Sequence, residues 1–284
     1  MHQRLRRLFI PWLLLLCACG GSTSTSSSRA PDNDPDTPPV TPQPTPEPGS
    51  PETVIKALAL YTQSLDDLYS DTDLRIQHLF NVTNDILQTS GLDFKIELVH
   101  LERVDYPDGF GMTTALDHIT QVQHTAFSNV RALRDQVAAD VVILFRPYAN
   151  DGYCGYAWIG GYQTDGDFSN PVEPDYAYSA VAADCSDYTL VHELGHNMGL
   201  AHSRRENPNG GSLPYGTGYG VDNDFVTIMA TASEFNAIQI PRLSSPALEC
   251  NAQACGVVSS NPTAGADAVQ ALTISKDQIA AYRD

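Results

Sequence analysis

The chain has 284 residues, of which 34 are acidic and 16 are basic, and its formal net charge is −18. This length suits one domain of ordinary size with extensions. The charge argues against nucleic acid as a partner, because a protein that binds phosphates presents a basic patch.

The first 18 residues have the pattern of a signal peptide. Arg4, Arg6 and Arg7 form a basic region, and an apolar run follows at residues 8–18. A run of about eleven residues is too short to span a bilayer as a helix, so an export signal is the better prediction than an anchor helix. We therefore expect an exported protein.

The signal ends in Leu16-Cys17-Ala18-Cys19, which resembles the lipobox of bacterial lipoproteins. By that resemblance Cys19 is acylated and becomes the first mature residue, and its lipid is the only membrane contact. Gly20 stands where such proteins often carry an aspartate for retention at the inner membrane, which favours the outer membrane or the cell surface. The alternative is an ordinary secretory signal and a secreted or periplasmic protein.

Residues 19–51 have the composition of a tether. Residues 22–28 are all Ser or Thr, and nine of the 21 residues from 31 to 51 are proline. Such a composition buries no core and favours an extended spacer. The folded domain is therefore predicted to span residues 52–284.

The first half of that domain alternates strands and helices. Hydrophobic spacing predicts strands at residues 54–61, 94–104 and 141–145, and helices at residues 74–89 and 119–137. This β-α-β-α-β order predicts an α/β (α+β) fold, in which helices cover a mixed or largely parallel sheet. Farther along, residues 226–230 form a brief apolar run, and residues 269–282 suit a closing helix.

Residues 153–161, with the sequence Y-C-G-Y-A-W-I-G-G, predict a short strand rich in glycine and aromatic residues. Glycine weakens a central strand but suits an edge strand. Two interpretations stay open, an edge that binds an extended peptide as a further strand and an ordinary edge strand. The loop at residues 163–175 contains several aspartates, but calcium binding there is unsupported, because no recognised ligand spacing is present.

The most informative stretch is V-H-E-L-G-H-N-M-G-L-A-H-S at residues 191–203. His192 and His196 are four residues apart, so on a helix they project from one face, where two imidazoles hold one Zn²⁺. His202 becomes the third ligand if the chain turns at Gly199, since glycine accepts the positive φ of such a turn. Glu193 is placed to take a proton from a zinc-bound water. This is the pattern of a zinc hydrolase.

The alternative is a core helix that contains histidines by chance. On a helical wheel the two histidines fall nearly opposite an apolar face formed by Leu190, Val191, Leu194 and Met198. A core histidine would lie among those apolar residues, so we favour the metal site. Ser186 or Asp187 is predicted to cap this helix.

Two of the six cysteines lie in the export signal, which leaves Cys154, Cys185, Cys250 and Cys255. An even number in an exported chain suggests two disulfides, and four cysteines permit three pairings. Cys250 and Cys255 are close enough to clip a short loop, which leaves Cys154 with Cys185. A cysteine metal site is the weaker alternative, since these four residues show no C-x-x-C spacing.

The zinc motif followed by Met229 resembles the metzincin pattern of zinc endopeptidases. With C-G-Y-A-W before the helix and T-I-M after it, the chain is most similar to bacterial members of the reprolysin-like (adamalysin-type) branch. The resemblance implies a metzincin-like zincin fold. Its upper subdomain, at about residues 52–199, holds the twisted sheet and the active-site helix, and a small irregular lower subdomain follows at about residues 200–284. The resemblance also implies that Met229 lies on a turn beneath the zinc site and that substrate binds along the edge strand, at Gly155, Tyr156, Ala157 and Trp158.

Three features depart from the family or lack a counterpart in it. Ser203 follows the third histidine where reprolysins usually have aspartate, which puts in doubt a hydrogen bond from that position into the Met-turn region. Thr231 stands where astacin-like and serralysin-like members use tyrosine as an extra zinc ligand, which argues against those branches. No inhibitory prodomain and no spare cysteine for a zinc latch are evident, so activity without processing is expected.

The sequence therefore predicts a monomeric endopeptidase with one catalytic Zn²⁺ that acts on extracytoplasmic proteins or peptides. Glu193 is expected to take a proton from water and return it to the leaving amine. Two alternatives stay open. One is a catalytically silent surface binding or adhesin module on the same fold, and the other is a maturation factor that cleaves one dedicated partner.

Overall fold

The computed structural model describes residues 53–283. The predicted signal peptide at residues 1–18, the lipidation at Cys19 and the tether at residues 19–51 lie outside the described residues. Across the described part of the chain, every helix is too short or too polar to span a membrane.

The described residues form ten strands and seven α-helices. In chain order they are β1 Thr53–Thr62, α1 Ser64–Leu68, α2 Thr72–Thr89, β2 Phe94–Val104, α3 Met112–Thr120, α4 Val130–Gln136, β3 Val141–Arg146, β4 Gly155–Ala157, β5 Tyr178–Ala182, α5 Thr189–Asn197, β6 Gly220–Val221, β7 Phe225–Val226, α6 Ala232–Phe235, β8 Ile238–Gln239, β9 Glu249–Cys250, β10 Gln253–Ala254 and α7 Ala268–Ala280.

The main sheet has five strands in the order β2-β1-β3-β5-β4. The first four run parallel, and β4 lies antiparallel to β5 at one edge. Strand β3 reads V-V-I-L-F-R and is buried along its whole length, as expected for a parallel strand that is covered on both faces. The predicted mixed sheet with covering helices is therefore confirmed.

Alternate side chains of the central strands enter two separate cores. Ile143 and Phe145 of β3 belong to the core that α2, α5 and α7 cover, whereas Val142 and Leu144 belong to the core that α3 and α4 cover. This is the period of two that a strand imposes on its side chains. Helix α5, which carries His192, Glu193 and His196, is thereby fixed on one face of the sheet.

The single helix predicted at residues 119–137 is wrong. The chain forms α3, a 3₁₀ turn at Thr125–Phe127 and α4 instead. Val122 takes a φ of 53° just after α3, and the imidazole of His124 accepts a hydrogen bond from Ala126 N at 3.2 Å at the start of the 3₁₀ turn. The apolar spacing continues across this break, so periodicity alone does not detect it. Strand β5, five residues long, has no counterpart among the predicted elements.

After α5 the chain forms a three-stranded sheet in the order β6-β7-β8 and the β9-β10 hairpin. Helix α7 then returns to the main sheet. Leu272 and Ile279 share a core with Ile55 of β1, and Thr53 Oγ1 donates to Asp277 at 2.6 Å. The C-terminal helix thus packs with the upper part, although its residues fall in the range predicted for the lower subdomain.

Candidate active site

Helix α5 carries the first two histidines and the glutamate of the motif. Its apolar face, including the fully buried Leu194, packs into the core and leaves the opposite face to the histidines. The predicted caps are wrong, because Tyr188 is the N-cap residue and none of the described side chains caps the helix. Ser186 Oγ accepts from Tyr188 N at 3.1 Å in the preceding turn, and Asp187 forms an ion pair with Arg75 at 2.6 Å.

The chain reverses after α5 at Gly199, whose φ is 95°. Gly199 N donates to His196 O at 2.9 Å. A Cβ at position 199 would lie 2.5 Å from Ser212 Oγ, so both the backbone angle and the space require glycine. The reversal carries His202 back beside His192 and His196.

The three histidines converge through their Nε2 atoms. These atoms are 3.1 Å apart between His192 and His196, 3.1 Å between His192 and His202, and 3.2 Å between His196 and His202. The Nδ1 of His192 lies 2.8 Å from Ile228 O, and that of His196 lies 2.9 Å from Leu200 O. Because a carbonyl oxygen only accepts, both rings donate from Nδ1 and present an Nε2 lone pair to the centre of the triad.

This arrangement fits a small divalent metal ion. Lone pairs that point at one centre repel each other unless a cation lies between them. Three nitrogens about 2.0–2.1 Å from Zn²⁺ in tetrahedral geometry are about 3.3 Å apart, close to the separations in the triad. Burial lowers the pKa of His192 to about 4 and that of His196 well below its usual range, which keeps both imidazoles neutral as ligands must be. Within residues 53–283 the triad is the only such group of three or more His, Cys, Asp or Glu side chains.

Glu193 lies next to the first ligand and is 5% exposed. Burial raises the pKa of its carboxyl to about 8, because the charged form loses its hydration. The side chain packs directly against the edge strand. A Cβ at Gly155 would lie 2.3 Å from Glu193 Oε1, so this place for the carboxylate depends on the glycine.

A cleft of about 220 Å³ opens between α5 and β4 beside the triad. Gly155, Tyr156 and Ala157 line it, and their contact with substrate stays a prediction. Tyr153 and Asn207 also line it and were not selected by sequence reasoning. The exposed rings of Tyr153 and Tyr156 meet edge to face, with centroids 5.4 Å apart. Both belong to the aromatic-rich segment at residues 153–161, and this composition could have indicated Tyr153. No sequence pattern points to Asn207.

Trp158 is not among the described residues that line the cleft, and its contact with substrate stays a prediction. Its indole Nε1 donates to Thr120 Oγ1 at 2.9 Å, and its ring packs against Tyr176 with centroids 5.5 Å apart. Its carbonyl oxygen already accepts from Asn197 Nδ2 at 3.0 Å. Through these contacts Trp158 connects β4 to α3 and α5.

Met229 lies directly against the motif helix. Its side chain is fully buried, and a Cβ at Gly195 of α5 would lie 2.6 Å from Met229 Sδ. The preceding residue, Ile228, supplies the carbonyl that meets His192 Nδ1. The turn that contains these two residues therefore supports the helix and orients the first histidine together.

Ser203 is connected to the turn that contains Met229 through the carboxylate of Glu206. Ser203 Oγ donates to Glu206 Oε2 at 2.6 Å. Thr231 donates to the same carboxylate, through its Oγ1 to Oε1 and through its N to Oε2 at 3.3 Å. Burial opposes ionisation of Glu206, but these hydrogen bonds outweigh it and hold the pKa of its carboxyl below the usual range. Sequence reasoning did not find Glu206, because only the fold brings it to Thr231.

The described residues form two disulfides, Cys154–Cys185 and Cys250–Cys255, which is the pairing that the spacing favours. The first ties the residue before β4 to the segment that leads into α5. Ala182 N also donates to Cys154 O at 2.7 Å. The first disulfide therefore connects the two elements that border the cleft, and the second closes the β9-β10 hairpin.

Comparison with known proteins assigns the family. Residues 53–261, more than half of the chain and including the triad, match the family described as "Metallo-peptidase family M12B Reprolysin-like". This chain belongs to the reprolysin-like metallopeptidase family, which confirms the resemblance stated from the motif.

Curated relatives agree with this assignment. The chain is similar to the peptidyl-Asp metalloendopeptidase of Pseudomonas aeruginosa, with 33% identity over 256 residues that cover 82% of this chain and 41% of the relative. It is also similar to that of Xanthomonas campestris pv. campestris, with 25% identity over 238 residues that cover 83% of this chain and 53% of the relative. The chain thus spans about half the length of these relatives.

Among solved structures, the chain is similar to one described as "Structure of a chaperone-substrate complex". The TM-score is 0.63 at 23% identity, and the match covers 82% of this chain and 35% of that chain. At this identity the likeness concerns the fold alone.

Proposed function

We propose that this protein is a zinc-dependent endopeptidase that hydrolyses peptide bonds of extracytoplasmic proteins. The observation that carries the proposal is the convergence of three Nε2 atoms, 3.1–3.2 Å apart, in a cleft that also contains Glu193. Three protein ligands rather than four are typical of catalytic zinc. The signal-peptide pattern and the two disulfides support an extracytoplasmic setting.

The chemistry of the reaction is divided between the metal and the glutamate. Zinc, when bound, polarises the scissile carbonyl and makes water more acidic. Glu193 accepts the proton of the attacking water and delivers it to the nitrogen of the leaving amine. His192 and His196 stay neutral and fixed, because backbone carbonyls hold their Nδ1 protons. Burial of Glu193 keeps bulk water away, so the proton passes between water and substrate.

We infer that the substrate lies along β4. This strand pairs only with β5 among the described strands, which leaves its other edge for an added peptide strand. Gly155 touches the carboxylate of Glu193, so an extended peptide on this edge presents a carbonyl next to the catalytic glutamate. Tyr153 and Tyr156 offer an aromatic surface to the peptide side chains on the same side.

The name of the relatives suggests aspartate at the cleaved bond, and we extend that preference to this chain. An aspartate side chain is best bound by a cation, yet no Lys or Arg of the described residues lines the cleft at the triad. Arg242 is the cation that we infer, although it lines a separate cavity together with Asp85 and Asp187. Its carbonyl accepts from Ile228 N at 2.9 Å, and Ile228 O in turn holds His192. Within the described residues, the Arg242 guanidinium donates only to Pro241 O, at 3.2 Å.

Digestion of a mixed peptide library, with and without a zinc chelator, tests this function by mass spectrometry of the products. We expect internal cleavage that the chelator abolishes and added zinc restores, with aspartate enriched at one position beside the cut. Arg242→Gln should lose that enrichment and still cleave, whereas the matched control Arg205→Gln, at a side chain already paired with Asp222 at 2.7 Å, should keep it. Bound zinc without any product peptides would favour the silent binding module.

A further inference from the structure

His202 is the ligand that the fold holds least firmly. Its side chain is 41% exposed, whereas His196 is buried. The Nδ1 atoms of His192 and His196 each meet a backbone carbonyl, at 2.8 and 2.9 Å, but no carbonyl of the described residues accepts from Nδ1 of His202. His202 also follows the helix rather than lying on it. Another group is needed to hold its ring.

Glu206 stands in that place. Its Oε1 lies 3.7 Å from His202 Nδ1, and its side chain is only 14% exposed. Glu206 N donates to Ser203 O at 2.9 Å, so a tight turn directly after His202 brings the carboxylate back towards the imidazole. A movement of less than about 1 Å brings the two groups to hydrogen-bond distance.

The same carboxylate also holds the segment below the helix. Ser203 donates to Oε2 at 2.6 Å, and Thr231 donates to both oxygens of Glu206. Thr231 is two residues after Met229, whose sulfur packs against Gly195 of the motif helix. One largely buried carboxylate therefore connects the third histidine with the turn that supports the first two.

We propose that Glu206 is a positioning residue that fixes His202 and the Met229 turn in the geometry that binds the metal. A carboxylate beside the remote nitrogen of a ligand imidazole orients the ring, fixes its tautomer and raises its basicity. Its loss should loosen the third ligand and leave the two helix-borne ligands in place. The inference rests on the metal-binding part of the proposed function and is independent of peptide cleavage.

Zinc affinity, measured by competition with a chromophoric chelator, tests the role of Glu206. The proteins compared are the wild type, Glu206→Ala, Glu206→Gln and the control Glu249→Gln, which changes an exposed glutamate of β9. We expect Glu206→Ala to bind zinc about 10–100-fold more weakly. Glu206→Gln should fall between the two, because its amide oxygen still accepts from Thr231, and the control should match the wild type. At full occupancy with cobalt, the visible absorption band of Glu206→Ala should differ from that of the wild type.

Wild-type zinc affinity and a wild-type cobalt spectrum in both Glu206 variants would overturn the proposal. Should Glu206→Ala fail to fold, a wild-type affinity in Glu206→Gln and in Thr231→Val, which removes one donor to the carboxylate, would overturn it equally. A wild type that binds no zinc refutes this inference and the proposed function together. Zinc binding by the wild type without peptide cleavage would refute the proposed peptidase activity alone. The effect of the Glu206 variants on zinc affinity would still decide whether Glu206 positions His202.

Discussion

Gly155 and Glu193 lie on opposite sides of the cleft and are in close contact. The carboxylate of Glu193 lies where a larger residue at 155 would place its side chain, because a Cβ there would be 2.3 Å from Oε1 and 2.6 Å from Cδ. The backbone of Glu193 cannot yield, since its helix is held by the core on one face and by Met229 against Gly195. A side chain at 155 therefore displaces the carboxylate and leaves the metal ligands in place.

Gly155→Ala should consequently lower kcat/KM by about 100-fold, as misplacement of a reacting group by about 1 Å does, with zinc content unchanged. The measurements are turnover of a peptide found in the library digest and metal content by elemental analysis. Gly109→Ala is the matched control, because no atom of the described residues lies within 4 Å of a Cβ at that position. Wild-type turnover in Gly155→Ala would show that Glu193 does not need its present position.

At the level of the elements, Asp140 adds a side-chain contact between the neighbouring strands β1 and β3. Asp140 lies just before β3, and it is 1% exposed. Its carboxylate accepts from Lys56 N of β1 at 2.8 Å, and its own N donates to Lys56 O at 2.8 Å. Burial raises the pKa of Asp140 to about 6, although the hydrogen bond from Lys56 N acts in the opposite direction.

The raised pKa of Asp140 predicts a pH dependence of stability. The pKa of Asp140 is 3.8 in the unfolded chain and about 6 in the folded chain, so the folded chain holds the proton more tightly. The protonated carboxyl therefore stabilises the fold fully below about pH 4, and this contribution is lost as the pH rises through 6. In Asp140→Asn, whose amide oxygen still accepts from Lys56 N, that loss disappears. The free energy of unfolding of the variant relative to the wild type should therefore rise between pH 4 and 7, by on the order of 1–3 kcal/mol. Urea titrations at several pH values measure it, with the exposed Asp85→Asn as control. If the free energy of unfolding changed with pH in the same way in Asp140→Asn and the wild type, the raised pKa of Asp140 would be contradicted.

The elements that the sequence predicts well are those in which the buried positions form a continuous or periodic pattern of apolar residues. The apolar run of β3 and the periodic α2 fall within two residues of their predicted ends. The helix predicted at residues 119–137 fails, because left-handed Val122 is stabilised by the surrounding chain and nothing in the apolar spacing reports it. Strand β5 is missed because its short sequence, Y-S-A-V-A, shows no clear alternation and forms a strand between β3 and β4.

In the molecule as a whole, the candidate site combines segments that are far apart in the chain. The triad and Glu193 could be predicted, because they lie within eleven residues and helical spacing fixes most of their geometry. The contact of Glu206 with Thr231 joins residues 25 apart, and that of Gly155 with Glu193 joins two different elements. Both depend on how β4 and the turn after α5 pack, which local spacing does not encode.

Turnover of one peptide substrate by the wild type and by Glu193→Gln, each loaded with one zinc per chain, tests the central claim most directly. The claim is that the triad holds the metal and that Glu193 moves the proton. The account predicts equal zinc content and a kcat/KM lower by about 10²–10⁴-fold in Glu193→Gln, because the amide cannot accept the proton of water. Wild-type turnover in Glu193→Gln at equal zinc content would contradict it.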